Sequence, residues 1–253
     1  MMLWKAKCKA FLSHALFSTT IVLVFFLVIH SFWYPGALFD LENVWEALEV
    51  LVPVDAVLGP VLTLYLWDPN KQGVKFDIAV VLILQVAALA YGGVTIYQQR
   101  PAALVFAADR FEVIPASQFD RTQLNNQYFD RQTIDEPLVA YALPAQNREE
   151  NNAFVLNNVQ YQKMPERYRP MREYAKQWQK RALRWDAIKP EGDALARWDA
   201  FKQHYHSGDT FLFPLEGTTG ESIMVAVNAQ GDVLHYLALD PWAVYKESVR
   251  PSS

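Results

Sequence analysis

The sequence predicts a membrane protein: three transmembrane α-helices followed by a small exported (periplasmic) α+β domain. Three observations carry that expectation. Charge is unevenly spread along the 253 residues: five of the 23 Lys and Arg, and seven of the 27 Asp and Glu, precede residue 98. The apolar first part holds three runs close to the ~20 residues that a bilayer core requires. The remainder alternates strand-like and helix-like stretches with turn signals between them. The expected organisation is a cytoplasmic N-terminus over residues 1–10, a three-helix membrane domain over 11–100 and a periplasmic α+β domain over 101–253.

The first span, about 11–34, contains TTIVLVFFLVIHSFWY and no Asp, Glu, Lys or Arg. A cleaved signal peptide would have a shorter apolar region, of about 7–15 residues, and would end at small residues. This run is longer and ends in Phe32-Trp33-Tyr34-Pro35, so an uncleaved anchor is expected. The second span, about 45–67, is interrupted by Pro53, Asp55, Gly59 and Pro60, and admits a re-entrant or broken helix as its alternative. The third, about 77–97, is apolar on all sides, which a helix in a soluble core rarely is.

Orientation follows from the basic residues. Lys5, Lys7 and Lys9 precede span one, and Lys71 and Lys75 lie between spans two and three. The loop between spans one and two carries Asp40, Glu42 and Glu46 and no Lys or Arg. Both basic segments therefore belong in the cytoplasm, and three crossings place everything after residue 98 outside. Trp33, Tyr34, Trp45, Trp67 and Tyr97 sit where interfacial aromatic belts are expected. The one cysteine, Cys8, lies in the predicted cytoplasmic segment, which suits an oxidising compartment for the remainder.

Asp55 is the most informative membrane residue. It lies 12 positions from Trp67, about 18 Å along a helix, near the middle of the bilayer. A carboxylate at that depth costs ~2.5–3.5 kcal/mol on insertion scales and is a functional hypothesis by default. Gln85 lies about 12 Å from the same side, so an amide-to-carboxyl hydrogen bond between spans two and three is expected. Asp55, Gly59 and Thr63 share one face of span two, next to Pro60. Gln85, Ala88 and Gly92 share one face of span three, and small residues permit close helix approach. Two roles compete for Asp55: interhelical glue, or a proton relay or acid-protease group. The protease needs a second carboxylate sharing its proton, and no span supplies one at that depth.

In the exported part, 104–108 and 111–114 read as strands around Asp109-Arg110, 117–127 as a short helix, 137–143 as a strand and 146–160 as a helix. The segment from Pro165 to Ile188 reads as a basic, aromatic helix starting near Pro170, with Tyr174, Trp178, Arg181 and Trp185 on one side. Residues 193–206 read as a helix whose inner face is Leu195, Trp198 and Phe201. Three strands close the domain, the last two joined as a hairpin at Asn228–Asp232.

No basic surplus exists to neutralise phosphates, so nucleic acid is not an expected partner. The aromatic content argues against disorder. His204 and His206 point to different sides of a helix end, unlike converging metal ligands. The stretch 214–220 is Gly-rich but lacks the strand-to-helix setting of a phosphate loop, and reads as a hairpin turn. No catalytic, metal or cofactor motif is present, and no cofactor is expected. The basic face of 167–184 admits an acidic partner, lipid head groups or plain solvation.

Five strings carry a resemblance: K-A-F-L-x-H (9–14), F-W-Y-P-G (32–36), V-D-x-V-L-G-P-V-L-T-L (54–64), D-x-x-V-V-L-x-L-Q-x-x-A-L-x-Y-G (77–92) and Y-Q-Q-R-P (97–101). Together they resemble the type IV pilin accessory proteins of the TfpX/TfpZ group, strongly over residues 5–115. The resemblance implies a bacterial inner-membrane protein without enzymatic activity that acts with a cognate major pilin and modulates pilus assembly; its other contacts would be membrane lipids. On the residues alone, an anchored periplasmic sensor or binding domain, or a membrane enzyme using Asp55, stays open as an alternative.

Overall fold

The computed structural model describes residues 2–130 and 137–246. The chain falls into two compact units, the first ending at Gln99 and the second beginning at Arg100.

The first unit contains three helices long and apolar enough to cross a membrane: Leu3–Trp33, Val44–Leu66 and Val74–Gln99. Large apolar side chains cover its outside, among them Phe17, Val50, Ile83, Leu84 and Val86. Such a surface requires lipid rather than water, and the chain is a membrane protein. Helix α1 (Met2–Val28) starts before the apolar run, because residues 2–10 are good helix formers without Gly or Pro. It ends in one π turn, Ile29–Trp33. A short α2 (Leu38–Leu41) leads through Asn43, in the left-handed conformation, to α3 (Val44–Pro53).

The second apolar helix is not broken. It continues from α3 through a π turn, Val54–Leu58, into α4 (Gly59–Leu66). Prolines at 53 and 60 flank that turn, and proline removes a donor and crowds the preceding carbonyls. Helix α5 (Val74–Gln99) completes the bundle. At one end Lys7 Nζ donates to the Tyr65 carbonyl at 3.1 Å, serving one of the unpaired acceptors at the close of α4. At the other end the buried Tyr34 hydroxyl donates to the Ile96 carbonyl at 2.8 Å, doing the same for α5.

The second unit is built on one seven-stranded sheet in the order β4-β3-β1-β2-β5-β6-β7. The strands are β1 (Pro101–Ala107), β2 (Arg110–Pro115), β3 (Leu138–Ala142), β4 (Tyr168–Arg169), β5 (Phe211–Glu216), β6 (Ser222–Val227) and β7 (Val233–Leu237). β1 runs parallel to β3 and β2 parallel to β5, while the other neighbours are antiparallel. β1 is buried along its whole length. One apolar cluster gathers Val105, Ile114, Leu124, Leu138 and Tyr168, and another gathers Trp198, Phe201, Leu212, Met224 and Leu237.

Several expectations need correction. The first hairpin turns at Ala108-Asp109, one residue earlier than expected, with Ala108 at φ 56° in place of the usual glycine. Residues 117–127 hold only a 3-10 turn, Arg121–Gln123. The helix at 146–160 is the shorter α6 (Arg148–Leu156), started by the Asn147 side chain accepting from Glu150 N–H. The long basic helix does not form. β4 occupies 168–169, Pro170 caps a 3-10 turn, and only α7 (Ala175–Trp178) is α-helical, between 3-10 turns. Leu183 then bridges to Leu212 of β5, donating to its carbonyl at 2.8 Å. Trp178, fully buried, donates its indole N–H to Met171 at 2.8 Å and locks that compact path. In α8 (Asp193–Lys202), Trp198 and Phe201 point inward as expected but Leu195 is exposed. The last hairpin forms as read at Asn228–Asp232, whereas the turn read at 214–220 is Gly217–Glu221 because Pro214–Glu216 belong to β5; α9 (Pro241–Val244) follows.

Candidate functional site

The polar residues of the membrane unit converge. Asp55, Thr63 and Gln85 are buried, and so are two residues of α1 that sequence reasoning did not single out, His14 and Ser18. They lie four apart, on one helical face. That spacing of polar residues in an otherwise apolar run was the available signal. His14 Nδ1 and Thr63 Oγ1 share a hydrogen bond of 2.5 Å. His14 is also within electrostatic range of Asp55. The result is a seam of five buried polar side chains contributed by all three spans.

The Gln85 carboxamide lies against the Asp55 carboxyl and also reaches its backbone. Gln85 Nε2 donates to the main-chain carbonyl of Asp55, at 3.1 Å. Asp55 Oδ2 and Gln85 Oε1 are buried without partners, as is His14 Nε2. The π turn explains the backbone contact. Gly59 N–H bonds the Val54 carbonyl, five residues back. The same pattern would give the Asp55 carbonyl a donor at position 60, which is proline and has none. Gln85 supplies it from the neighbouring helix.

Of the small residues, Gly59 is buried and a methyl there would overlap the Gln85 carboxamide. A methyl at Gly92 would come within 2.8 Å of Leu51 Cδ1. These two notches are therefore filled from within the bundle and are closed to a foreign helix. Pro60 is buried and Ala88 half-buried.

A recess of about 40 Å³ lies beside the seam, bounded by Phe17, Ser18 and Ile21 of α1, by Leu82, Gln85, Val86 and Leu89 of α5, and by Asp55. A larger groove, about 540 Å³, runs along α1 from Lys9 past His14 to Phe17, with Thr63, Trp67 and Leu82 opposite.

In the second unit the basic face of 167–184 is divided. Arg167 pairs with Glu150 at 2.7 Å and also donates to the Leu143 and Pro144 carbonyls. Arg169 stacks over Tyr128. Lys176, Lys180 and Arg181 instead border a cavity of about 710 Å³ with Phe106, Tyr141 and Tyr161. Burial pushes the Tyr141 and Tyr161 phenols above their ordinary range. His204 and His206 are exposed beyond the end of α8. Among the described residues no cluster of His, Cys, Asp and Glu is arranged to hold a metal ion.

Comparison with known proteins points one way. Over 103 residues the chain is 30% identical to the fimbrial assembly protein, serogroup I, of Dichelobacter nodosus, a match covering 40% of each chain. The serogroups C1 and C2 protein of the same organism is 28% identical over 103 residues, or 40% of this chain and 79% of that one. The serogroup E1 protein is 28% identical over 40% of each. The chain thus spans less than half the length of two of these three relatives. No family model matches. No solved structure matches.

Proposed function

We propose that this protein is an inner-membrane accessory factor of the TfpX/TfpZ kind, which acts with a type IV pilin and modulates pilus assembly. The observation that carries the reading is the 103-residue similarity to proteins named for fimbrial assembly. The architecture supports it. A pilin awaiting assembly has a helix in lipid and a globular head outside, and a partner with three spans and a separate folded unit can address both. The reading places residues 1–10 in the cytoplasm and 101–253 in the periplasm, and assigns the protein no reaction of its own. Selectivity for one pilin would lie in the periplasmic unit, because polar surfaces discriminate partners through unpaired charges and desolvated groups.

The test is a clean deletion. Surface pili should fall while pilin synthesis stays intact, and the pilin should co-purify with the protein from solubilised membranes. Exchanging residues 101–253 with those of a relative serving another pilin should change which pilin is assembled. Normal piliation in the deletion strain, with no second copy of the gene, would refute the reading.

A further inference from the structure

Three atoms in the membrane unit lack hydrogen-bond partners: His14 Nε2, Asp55 Oδ2 and Gln85 Oε1. Their residues are 8%, 5% and 9% exposed. In a soluble protein water would serve such atoms, but lipid tails offer neither donors nor acceptors. Native structures leave few buried polar groups unsatisfied, and each one calls for a cause.

The imbalance has a direction. Gln85 Oε1 is an acceptor, and so is Asp55 Oδ2 when the carboxyl is ionised. One Nε2 hydrogen of Gln85 is already spent on the Asp55 carbonyl. With the carboxyl ionised, Asp55 Oδ2 and Gln85 Oε1 are two acceptors without a donor, while His14 Nε2 donates or accepts according to its tautomer. The 40 Å³ recess lined by Asp55, Gln85 and Ser18 borders these acceptors directly. It has room for water or for the tip of one polar side chain, and for nothing larger.

The recess lies between α1 and α5, where Phe17 and Val86 are 61% and 66% exposed. Phe17 and Ile21 on one side, and Leu82, Val86 and Leu89 on the other, form two apolar rows at helical spacing with the acceptors in the trough between them. Such a surface suits an apolar helix that carries a single polar group. The notches at Gly59 and Gly92 are filled by Gln85 and Leu51, so a foreign helix cannot seat there, and the α1/α5 trough is the exposed approach that borders the unpartnered acceptors.

We propose that this trough is an intramembrane docking site for the lipid-embedded helix of the pilin, and that a hydrogen-bond donor on that helix enters the recess to meet Asp55 and Gln85. The proposal rests on the function proposed above and names the place of contact. It makes the seam a polarity filter: an apolar helix that brings no donor leaves two buried acceptors unserved.

Cysteine cross-linking in membranes tests it. The full chain, with Cys8→Ser, receives one new cysteine at Ile21, Leu89 or Ile83. Ile21 and Leu89 line the recess, while Ile83 is an exposed residue of α5 outside its lining. Each variant is co-expressed with the pilin carrying single cysteines along its membrane helix. The expected result is that Ile21→Cys and Leu89→Cys form pilin adducts at least fivefold above Ile83→Cys, concentrated at one stretch of the pilin helix. Adding Asp55→Leu should reduce those adducts severalfold, and adding Asp55→Asn, which keeps a side-chain acceptor, should spare them. If the pilin co-purifies with all variants and the recess positions show no enrichment over Ile83, the docking site is refuted while the accessory function stands. Labelling of the same cysteines by a water-soluble maleimide would then identify water as the missing donor. If the pilin fails to co-purify with the unmodified protein, the function proposed above is refuted, and the docking site with it.

Discussion

Gln85 Nε2 donates to the main-chain carbonyl of Asp55 across 3.1 Å, from one membrane span to the next. That carbonyl lacks a helical donor because position 60 is proline and the turn before it has π spacing. The side chain on α5 thus repairs a defect that Pro60 creates in the adjoining span. π turns of this kind recur at functional sites, and this one presents the Asp55 side chain to the centre of the bundle.

The relationship predicts a coupling. Gln85→Leu leaves the Asp55 carbonyl unserved and should destabilise the bundle by about 1–2 kcal/mol, the scale of interhelical hydrogen bonds in membranes. Pro60→Ala restores a donor within the span. In that background Gln85→Leu should cost less than half as much. Unfolding of the four proteins in mixed micelles of denaturing and non-denaturing detergent measures the cycle, and additive effects would contradict the account.

The glycines should differ in tolerance. Gly59→Ala places a methyl in the volume of the Gln85 carboxamide, displacing it from the Asp55 carbonyl. A loss of about 1–3 kcal/mol is expected, the ordinary cost of overpacking. Gly92→Ala meets only the end of the Leu51 side chain, which can rotate away, and should cost under ~1 kcal/mol. Equal losses in the same unfolding assay would mean that the Gln85 contact is not what holds Gly59.

The membrane unit was legible in sequence because its signals are local. Span length and the isolated Asp55 and Gln85 are one-dimensional facts. The pairing of Gln85 with a backbone carbonyl was not legible, since it follows from the hydrogen-bond register at Pro60, which only coordinates reveal. His14 entered only as the end of a resemblance string, and Ser18 not at all, because a lone histidine or serine in an apolar run is commonly incidental. In the second unit the hairpins were legible from Gly220, Gly231 and alternating apolar residues. The stretch 165–188 misled because its aromatic residues fall at helical spacing. Trp178 is buried by tertiary packing against Phe211 and Phe213, and Pro170 starts a chain of short turns rather than one helix.

Glu112 predicts a pH dependence. Burial raises its carboxyl above the ordinary range, and the neighbouring Glu216 pushes the same way. Gln162, donating to Glu112 Oε2 at 3.1 Å, partly opposes the shift. A raised value means that the folded state binds the proton more tightly than the unfolded chain. The stabilisation is full below the unfolded value, about 4.3, and is lost as pH rises through the folded value. Glu150 and Asp186, lowered by hydrogen bonds, act in the opposite sense, so the informative quantity is a difference. Glu112→Gln should stabilise the second unit relative to wild type at pH 7, and the gain should shrink toward pH 4.5. Hydrogen exchange of the β2 and β5 amides in the detergent-solubilised full chain reads it; a pH-independent difference would remove Glu112 as the cause.

Topology gives the last prediction. It rests on five lysines, all before residue 76. Lys5, Lys7 and Lys9 precede the apolar run of α1, and Lys71 and Lys75 adjoin the start of α5. Lys7 reaches the Tyr65 carbonyl, so the N-terminal lysines and the end of α4 belong to one side of the bundle. Lys71 pairs with Asp77 at 2.5 Å, which removes an acidic charge from that side without removing the basic excess. Acidic residues count little in orientation, whereas Lys and Arg near span ends count fully. A reporter active only in the cytoplasm should therefore be active when fused at residue 72 and inactive when fused after residue 253. A reporter active only after export should behave in reverse. Replacing Lys5, Lys7 and Lys9 with Gln leaves only Lys71 and Lys75 to hold the orientation, and should yield a mixed population. Cytoplasmic activity at residue 253 in the unmodified chain would overturn both the topology and the assignment of the second unit to the periplasm.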